Sequence, residues 1–338
     1  VSAAPEDGRG AADVDLSIVI ASHGTAGLLA ACLASIEQAR DASPAIELET
    51  IVVDNASPDD SVACARSSCL APRVLAYARN RGFAAAVNAG VAFARGRYVL
   101  LLNSDVEVPL RLLADAVALL DEELRIGVLG PALVHPDGRP QRSVHVLPGL
   151  DSELLGEGMA RRLRRRERDH AGPPVAWRDV EAVRGAVFFV RKELFEKVGS
   201  LDEGFFFFLE ETDFCARVRG AGHAVAWVPG WRVPHRLGAS SKRRAPLATR
   251  IEYLRSLDRA LRQHRGPTVA RAVALVRFLR AVAGLVVAAL PSLFSVAARA
   301  RNAERLGLVL WHLRGRPPEP SLADALASAS SDEDAARS

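Results

Sequence analysis

Cysteine is scarce and unpatterned: Cys32, Cys64, Cys69 and Cys215 are the four in 338 residues. None forms a CxxC pair and no paired histidines stand near them. That argues against a zinc site and leaves reduced thiols of a cytosolic protein as the reading. No GxGxxG or GK[ST] stands near a strand-like run, so dinucleotide-binding and P-loop readings fall away. Residues 22–27 hold no lysine, which removes the basic loop a nucleotidyltransferase would place after its first strand. The start, residues 1–12, lacks the apolar stretch of a secretory signal and reads as a floppy leader. Few aromatics interleave the basic stretches, which argues against nucleic acid as a partner.

What is present is an ordinary globular composition, 49% hydrophobic and 25% charged. At 338 residues the chain can bury a large core in one domain, or in one domain with an appendage. The net charge of +4 is spread unevenly. Arginines gather at residues 161–168, at Lys242-Arg243-Arg244 and among the C-terminal helices, whereas the polar clusters described below are acidic. That asymmetry fits a metal-holding pocket beside a surface that meets anionic lipid head groups.

Strand-like runs at 16–21, 48–53, 74–77 and 98–102 alternate with helical patterns at 28–40, from Ser61, at 83–94 and at 110–120. Alternation at βαβ spacing predicts a mainly parallel, Rossmann-like sheet flanked by helices. After Gly130 the pattern loosens. His135-Pro136-Asp137-Gly138 is a turn by composition, and residues 150–178 read as a charged loop with some helix. A strand at 183–190, helices at 192–198 and 210–219, and a strand at 224–228 follow.

The expected division is a disordered leader at 1–14, a nucleotide-binding α/β domain at 15–245, a helical, membrane-associated appendage at 246–314 and a disordered tail at 315–338. Residues 281–298 carry no charge and lie between Arg277, Arg280, Arg299 and Arg301. The run just reaches spanning length, but Pro291, Ser292 and Ser295 weaken it. Two short helices lying in the membrane interface are expected, with a buried packing helix as the plain alternative.

Four polar clusters close hydrophobic runs. Asn103-Ser104-Asp105 follows an apolar strand, at the edge where open α/β sheets bind ligands. A carboxylate there can hold Mg²⁺ or Mn²⁺ against a diphosphate, the phosphates completing the shell. The plain alternative is an Asx-type turn. Asp54-Asn55 also ends a strand, and its carboxylate can accept a hydrogen bond from the imide of uracil or thymine. Asn80-Arg81-Gly82-Phe83 leads into a helix whose N-terminus can attract phosphate. Asn88 lies on that helix, where asparagine is a poor former, which hints at a ligand contact.

Glu210-Glu211-Thr212-Asp213 opens another helix. Crowded carboxylates raise one another's pKa and suit a general base, although acidic first turns also complement the helix dipole. His235 follows a strand and could be a metal ligand.

These clusters, in this order, resemble the bacterial family 2 glycosyltransferases of GT-A fold, and within them the rhamnosyltransferase-like branch. The resemblance covers roughly residues 16–241. It rests on Val52-Val53-Asp54-Asn55-Ala56-Ser57, on Asn80-Arg81-Gly82-Phe83 through Asn88, and on Gly96 to Asp105. It rests also on Gly199-Ser200-Leu201-Asp202-Glu203-Gly204-Phe205-Phe206, and on His235 with Gly238-Ala239-Ser240.

It implies an inverting transferase that moves rhamnose or a similar sugar from a dTDP- or UDP-linked donor to a saccharide or polyprenyl-linked acceptor in cell-surface polysaccharide synthesis. Ser22, Asp54, Asn55, Arg81, Gly82, Asn88, Asn103, Ser104 and Asp105 would bind the nucleotide sugar. Arg184, Gly185 and Glu210 would bind the acceptor, with residues 184–188 and 205–208 walling it. Asp105 and His235 would hold the metal.

Glu211 stands where the family commonly has the Asp of an EDxD pattern, so Glu211 and Asp213 both remain candidates for the base. Asn103 replaces the first carboxylate of a strict DxD. A cytoplasmic protein held peripherally on the inner face of the plasma membrane is expected. The rival reading is a catalytically silent GT-A scaffold that binds nucleotide sugar or glycan.

Overall fold

The computed structural model describes residues 14–164, 168–170, 176–236, 245–288, 295–317 and 321–325. The expected leader up to residue 13, the tail from 326, Gly238-Ala239-Ser240 and Lys242-Arg243-Arg244 lie outside the described residues.

The first half follows the alternation of its sequence. β1 (Leu16–Ser22), α1 (Ala26–Asp41), β2 (Leu48–Asp54), α2 (Ser61–Arg66), β3 (Arg73–Ala76), α3 (Phe83–Val91), β4 (Tyr98–Asn103) and α4 (Leu112–Glu122) succeed one another. β3, β2, β1 and β4 pair in parallel in that order. β4 shows why its sequence is apolar throughout rather than alternating. Tyr98, Leu100 and Leu102 enter the core under α1 and α4, while Val99 and Leu101 enter the opposite core under α3. A strand covered on both faces has no side to leave polar.

The second half departs from expectation where the pattern had loosened. β5 (Ile126–Val134) is a buried nine-residue strand whose Gly130-Pro131 reads locally as a turn. Then come β6 (Val144–His145), α5 (Leu150–Leu155), α6 (Glu157–Arg164), β7 (Arg168–His170), β8 (Trp177–Asp179) and β9 (Ala182–Val183); α5 and α6 are the helix expected within 150–178, and β7 and β8 add short strands there. The strand expected at 183–190 breaks at residues 184–186, and β10 (Val187–Arg191) continues it.

α7 (Lys192–Lys197) and α8 (Glu210–Gly220) precede β11 (Ala224–Pro234), which runs six residues past the expected end. A register shift between Val228 and Arg232 accommodates Pro229 and Gly230 without ending the strand. The nine-stranded sheet has the order β3-β2-β1-β4-β10-β5-β11-β8-β7. β10 runs antiparallel between β4 and β5, and β11 is parallel to β5. Arg191 anchors this reversed strand, donating from its buried guanidinium to the carbonyls of Ile126, Leu120 and Glu123.

This topology has one functional consequence. The carboxyl ends of β1, β2, β4, β5 and β11 and the amino end of β10 all reach the same edge.

α9 (Pro246–Arg265), α10 (Pro267–Val287) and α11 (Val296–Leu313) complete the fold. Arg259 pairs with Asp202, and Ser256 Oγ donates to Phe207 O, which ties α9 to the loop before α8. Among the described residues no helix is long and apolar enough to cross a membrane. The run 281–298 divides between α10 and α11, with 289–294 outside the described residues. Within the expected tail, residues 322–325 are helical and Leu322 is buried with Ala245 and Ala248.

Candidate active site

At the ends of β1 and β2, hydroxyls and carboxamides lock three loops together. Ser22 Oγ lies 3.0 Å from Thr25 Oγ1, which lies 2.9 Å from Ser104 Oγ, so a hydroxyl chain bridges β1 to the end of β4. Asp54 is buried. Its Oδ2 accepts from Ser57 N at 3.0 Å, while Oδ1 has no partner among the described residues. A bare, buried carboxylate oxygen at a sheet edge calls for a donor from a ligand.

Asn55 is spent on structure. Its Nδ2 donates to Asn80 Oδ1 and Gly82 O, and its Oδ1 accepts from Arg81 N. Gly82 has φ +86°, and a Cβ there would sit 2.5 Å from Phe206 O, so only glycine lets the two loops meet. Arg81 stacks over Tyr77 and faces Glu203 at 3.8 Å, half exposed. Asn88, a poor helix former placed mid-helix, exchanges two hydrogen bonds with the Leu201 backbone and also donates to Glu203. That tether accounts for its position.

At the end of β4 the chain turns toward β11. Val106 bridges His235, Arg236 N donates to Asp105 O, and Glu107 N donates to Pro234 O. This brings His235 Nε2 to 3.3 Å from Asp105 Oδ1, with the imidazole buried. A carboxylate oxygen and an imidazole nitrogen converging at a sheet edge are donors that fit Mg²⁺ or Mn²⁺. Among the described residues no third His, Cys, Asp or Glu joins them, so a diphosphate or water must complete the shell. Asn103 sits behind the pair; its N–H donates to Ala186 O, and its carbonyl faces Cys32 Sγ.

Ala186 therefore stands opposite Asn103, and Gly185 lies one step further along the same edge. The first turn of α8 meets it there. Phe208 and Leu209 enter that turn with φ of 76° and 67°, a left-handed pair that costs non-glycine residues energy and aims the acidic side chains. Glu210 is buried, and Oε2 finds no partner among the described residues. Burial, reinforced by Glu211 beside it, pushes its carboxyl well above the usual range.

Glu211 is half-buried and packs on Gly185, where a built Cβ would lie 3.3 Å from the Glu211 Cβ and Cγ atoms. Arg184 lends Glu211 its positive charge, although burial holds the guanidinium below its ordinary value. Asp213 is differently occupied. Its Oδ2 accepts from Arg217 and its Oδ1 lies 2.7 Å from His264 Nε2, so it ties α8 to α9. Of the two carboxylates left open as bases, Asp213 is committed and Glu211 is not. The phenylalanines expected on the acceptor wall divide: Phe188 and Phe205 are core, while Phe206, Phe207 and Phe208 are part-exposed.

Residues 17–198 match the model of glycosyl transferase family 2. The chain belongs to that family. It is accordingly a glycosyltransferase. Over 223 residues it is 30% identical to the uncharacterized protein y4gI of Sinorhizobium fredii, covering 62% of this chain but 23% of that protein. Over 219 residues it is 27% identical to the N-acetylglucosaminyl-diphospho-decaprenol L-rhamnosyltransferase of Mycobacterium tuberculosis, covering 58% of this chain and 69% of that one. The fold is shared with the mannosyltransferase PcManGT of Pyrobaculum calidifontis, solved with GDP-Man and Mn²⁺ (TM-score 0.53, 17% identity, 90% of this chain and 89% of that one). It is shared also with GalNAc-T7, solved with UDP, GalNAc and Mn²⁺ (TM-score 0.52, 18% identity, 73% and 47%). The fold is thus GT-A.

Several residues at this family 2 site carry no sequence signal. His23 Nδ1 bonds Asn55 O, and its Nε2 is buried without a partner among the described residues. His264 and Arg217 hold Asp213, and Gln141 reaches His235 from a loop 94 residues away. Each is a lone polar residue outside any motif, and pairing across such separations leaves no local pattern.

Proposed function

We propose that this glycosyltransferase moves a sugar, rhamnose or one like it, from a dTDP- or UDP-linked donor to a hydroxyl of a saccharide or polyprenyl-linked acceptor. The transfer inverts the anomeric centre and serves cell-surface polysaccharide synthesis. The observation that carries the reading is the division of labour on α8: Asp213 is bound on both oxygens, while Glu211 stands over Gly185 with no hydrogen bond or ion pair among the described residues. The name of the mycobacterial relative supports the sugar and the lipid-linked acceptor.

In this reading Glu211 takes the acceptor hydroxyl's proton as its oxygen attacks the anomeric carbon from the face opposite the diphosphate. Arg184 steadies the Glu211 carboxylate. Asp54 Oδ1 accepts the imide N–H of the base, which selects uracil or thymine. Asp105 and His235 would hold a divalent cation, which when bound neutralises the charge growing on the departing diphosphate.

Contact with the inner face of the plasma membrane would bring the site to a lipid-linked acceptor. Its support is the outward face of α10, where Leu275, Leu279, Val286 and Val287 are exposed. Arg280 donates to the carbonyls of Glu153 and Leu154, which joins that face to the exposed Leu154, Leu155 and Met159 of α5 and α6. Arg162 and Arg271 lie exposed beside this patch, a charge that complements anionic head groups.

The test is donor turnover with Mn²⁺ or Mg²⁺. Glu211→Gln is expected to lower kcat by about 10²–10⁴-fold while UDP or dTDP still raises the melting temperature. Wild-type turnover in that variant would overturn the base assignment. No turnover of wild type with any nucleotide sugar would favour a silent scaffold.

A further inference from the structure

Behind the metal-facing imidazole lies a hydrogen-bond arrangement with only one consistent assignment. Gln141 Nε2 is 2.5 Å from His235 O and 3.2 Å from Val134 O. Both partners are backbone carbonyls and can only accept, so this nitrogen is the amide donor, with both hydrogens used. The remaining carboxamide atom, Oε1, can only accept, and it lies 2.9 Å from His235 Nδ1. Nδ1 therefore carries a proton. In the neutral ring that leaves Nε2 bare, its lone pair directed at Asp105 Oδ1 at 3.3 Å. Two acceptors facing one another at that distance repel unless a cation or a proton lies between them.

We propose that Gln141 is a positioning residue that fixes His235 in its Nδ1–H tautomer and thereby keeps Nε2 available to a divalent cation shared with Asp105. The idea rests on the reading of Asp105 and His235 as metal ligands. The fold gives the device its rigidity. Gln141 N donates to Leu133 O, and Ser143 Oγ donates to Gln141 O and accepts from Leu133 N. His235 N donates to Val134 O. The ends of β5 and β11 and the 141–143 segment thus form one frame around the ring. An imidazole free to take the other tautomer would turn an N–H toward the cation. A ring free to rotate would lose its aim. Outer partners of this kind are generally worth 10–100-fold in metal affinity.

Two variants separate this role from simple tethering. Gln141→Leu removes acceptor and donors together. Gln141→Glu keeps an acceptor for Nδ1–H but loses both donors to the carbonyls. Mn²⁺ binding is read by loss of the free-ion EPR signal, using Mn²⁺ alone. The His235 tautomer is read separately, from two-bond ¹H–¹⁵N correlations of histidine-labelled, metal-free protein. Wild type and Gln141→Glu are expected to show the Nδ1–H form and Mn²⁺ affinities within about threefold of each other. Gln141→Leu is expected to lose about 10–100-fold in affinity and to shift toward the Nε2–H form.

Equal losses in both variants would reduce Gln141 to a backbone tether and overturn the proposal. Unchanged affinity in Gln141→Leu, or an Nε2–H ring in wild type, would overturn it too. If wild type shows the Nδ1–H ring yet binds no Mn²⁺, the metal-ligand reading is what fails, and this inference falls with it.

Discussion

Two carboxylates two residues apart on α8, and so on opposite sides of it, meet opposite fates, and the cause is what each can reach. Asp213 points back toward α9, where His264 meets one of its oxygens, while Arg217 of α8 itself donates to the other. Glu211 points over Gly185 into the open edge. Glu210, between the loop and the core, is buried with Oε2 unpartnered among the described residues, and burial holds its carboxyl well above the usual range. Such a group penalises the fold only where the unfolded chain would ionise it. Its folded pKa is raised, so the penalty is absent below the ordinary carboxylate range and grows as pH rises from there toward the folded value. Glu210→Gln should therefore raise the melting temperature at about pH 8 more than at about pH 5, with no gain near pH 4. Thermal melts across that range check it; a gain independent of pH would show that Glu210 is ionised in the fold.

At the scale of elements, the reversed strand β10 builds the side proposed for the acceptor. Because it runs against β4, the residues before it, Arg184 and Gly185, arrive at the edge that β1, β2 and β4 reach with their carboxyl ends. α8 can then set Glu211 against a glycine. Gly185→Ala would place a methyl 3.3 Å from two Glu211 carbons and displace the carboxylate. A shift of about 1 Å can cost on the order of 100-fold, so kcat should fall by about 10–100-fold with the melting temperature nearly unchanged. Steady-state kinetics beside a thermal melt decide this, and an unaltered kcat would remove Gly185 from the site.

Much at this scale was legible in advance. The strands from β1 to β4 read directly because each is a continuous apolar run bounded by polar turns. β5 and the second half of β11 did not, because Gly130-Pro131 and Pro229-Gly230 look like turns locally. Only pairing with each other, across a register shift, carries those residues as strand. Asn88 stands out in the sequence as a poor helix former mid-helix, yet residue spacing carries no sign of its tether to Leu201.

For the whole molecule, the salient surface is the apolar outer face of α10, where Leu275, Leu279, Val286 and Val287 are exposed. The proposed bilayer contact would account for both the leucines and the arginines beside them. Burying one leucine is worth roughly 1.5–3 kcal/mol. Leu279→Glu with Val286→Glu should therefore weaken sedimentation with anionic vesicles by at least about tenfold while leaving donor turnover in solution intact. Wild-type protein that ignores such vesicles at low salt would sink the membrane reading.

By itself the sequence determined the parallel half of the sheet, the order of the polar clusters and the family, because these are local: a run of residues, its turn and its cap carry their own pattern. The tertiary structure alone decided which acidic side chain is bonded on both oxygens, which histidine nitrogen faces Asp105, and that Asn55 and Asn88 hold loops together. Those outcomes depend mostly on partners distant in sequence, from Asn80 for Asn55, 25 residues away, to Leu201 for Asn88, 113 residues away. A hydrogen bond across that distance is a property of the folded edge, with no trace in the neighbours along the chain.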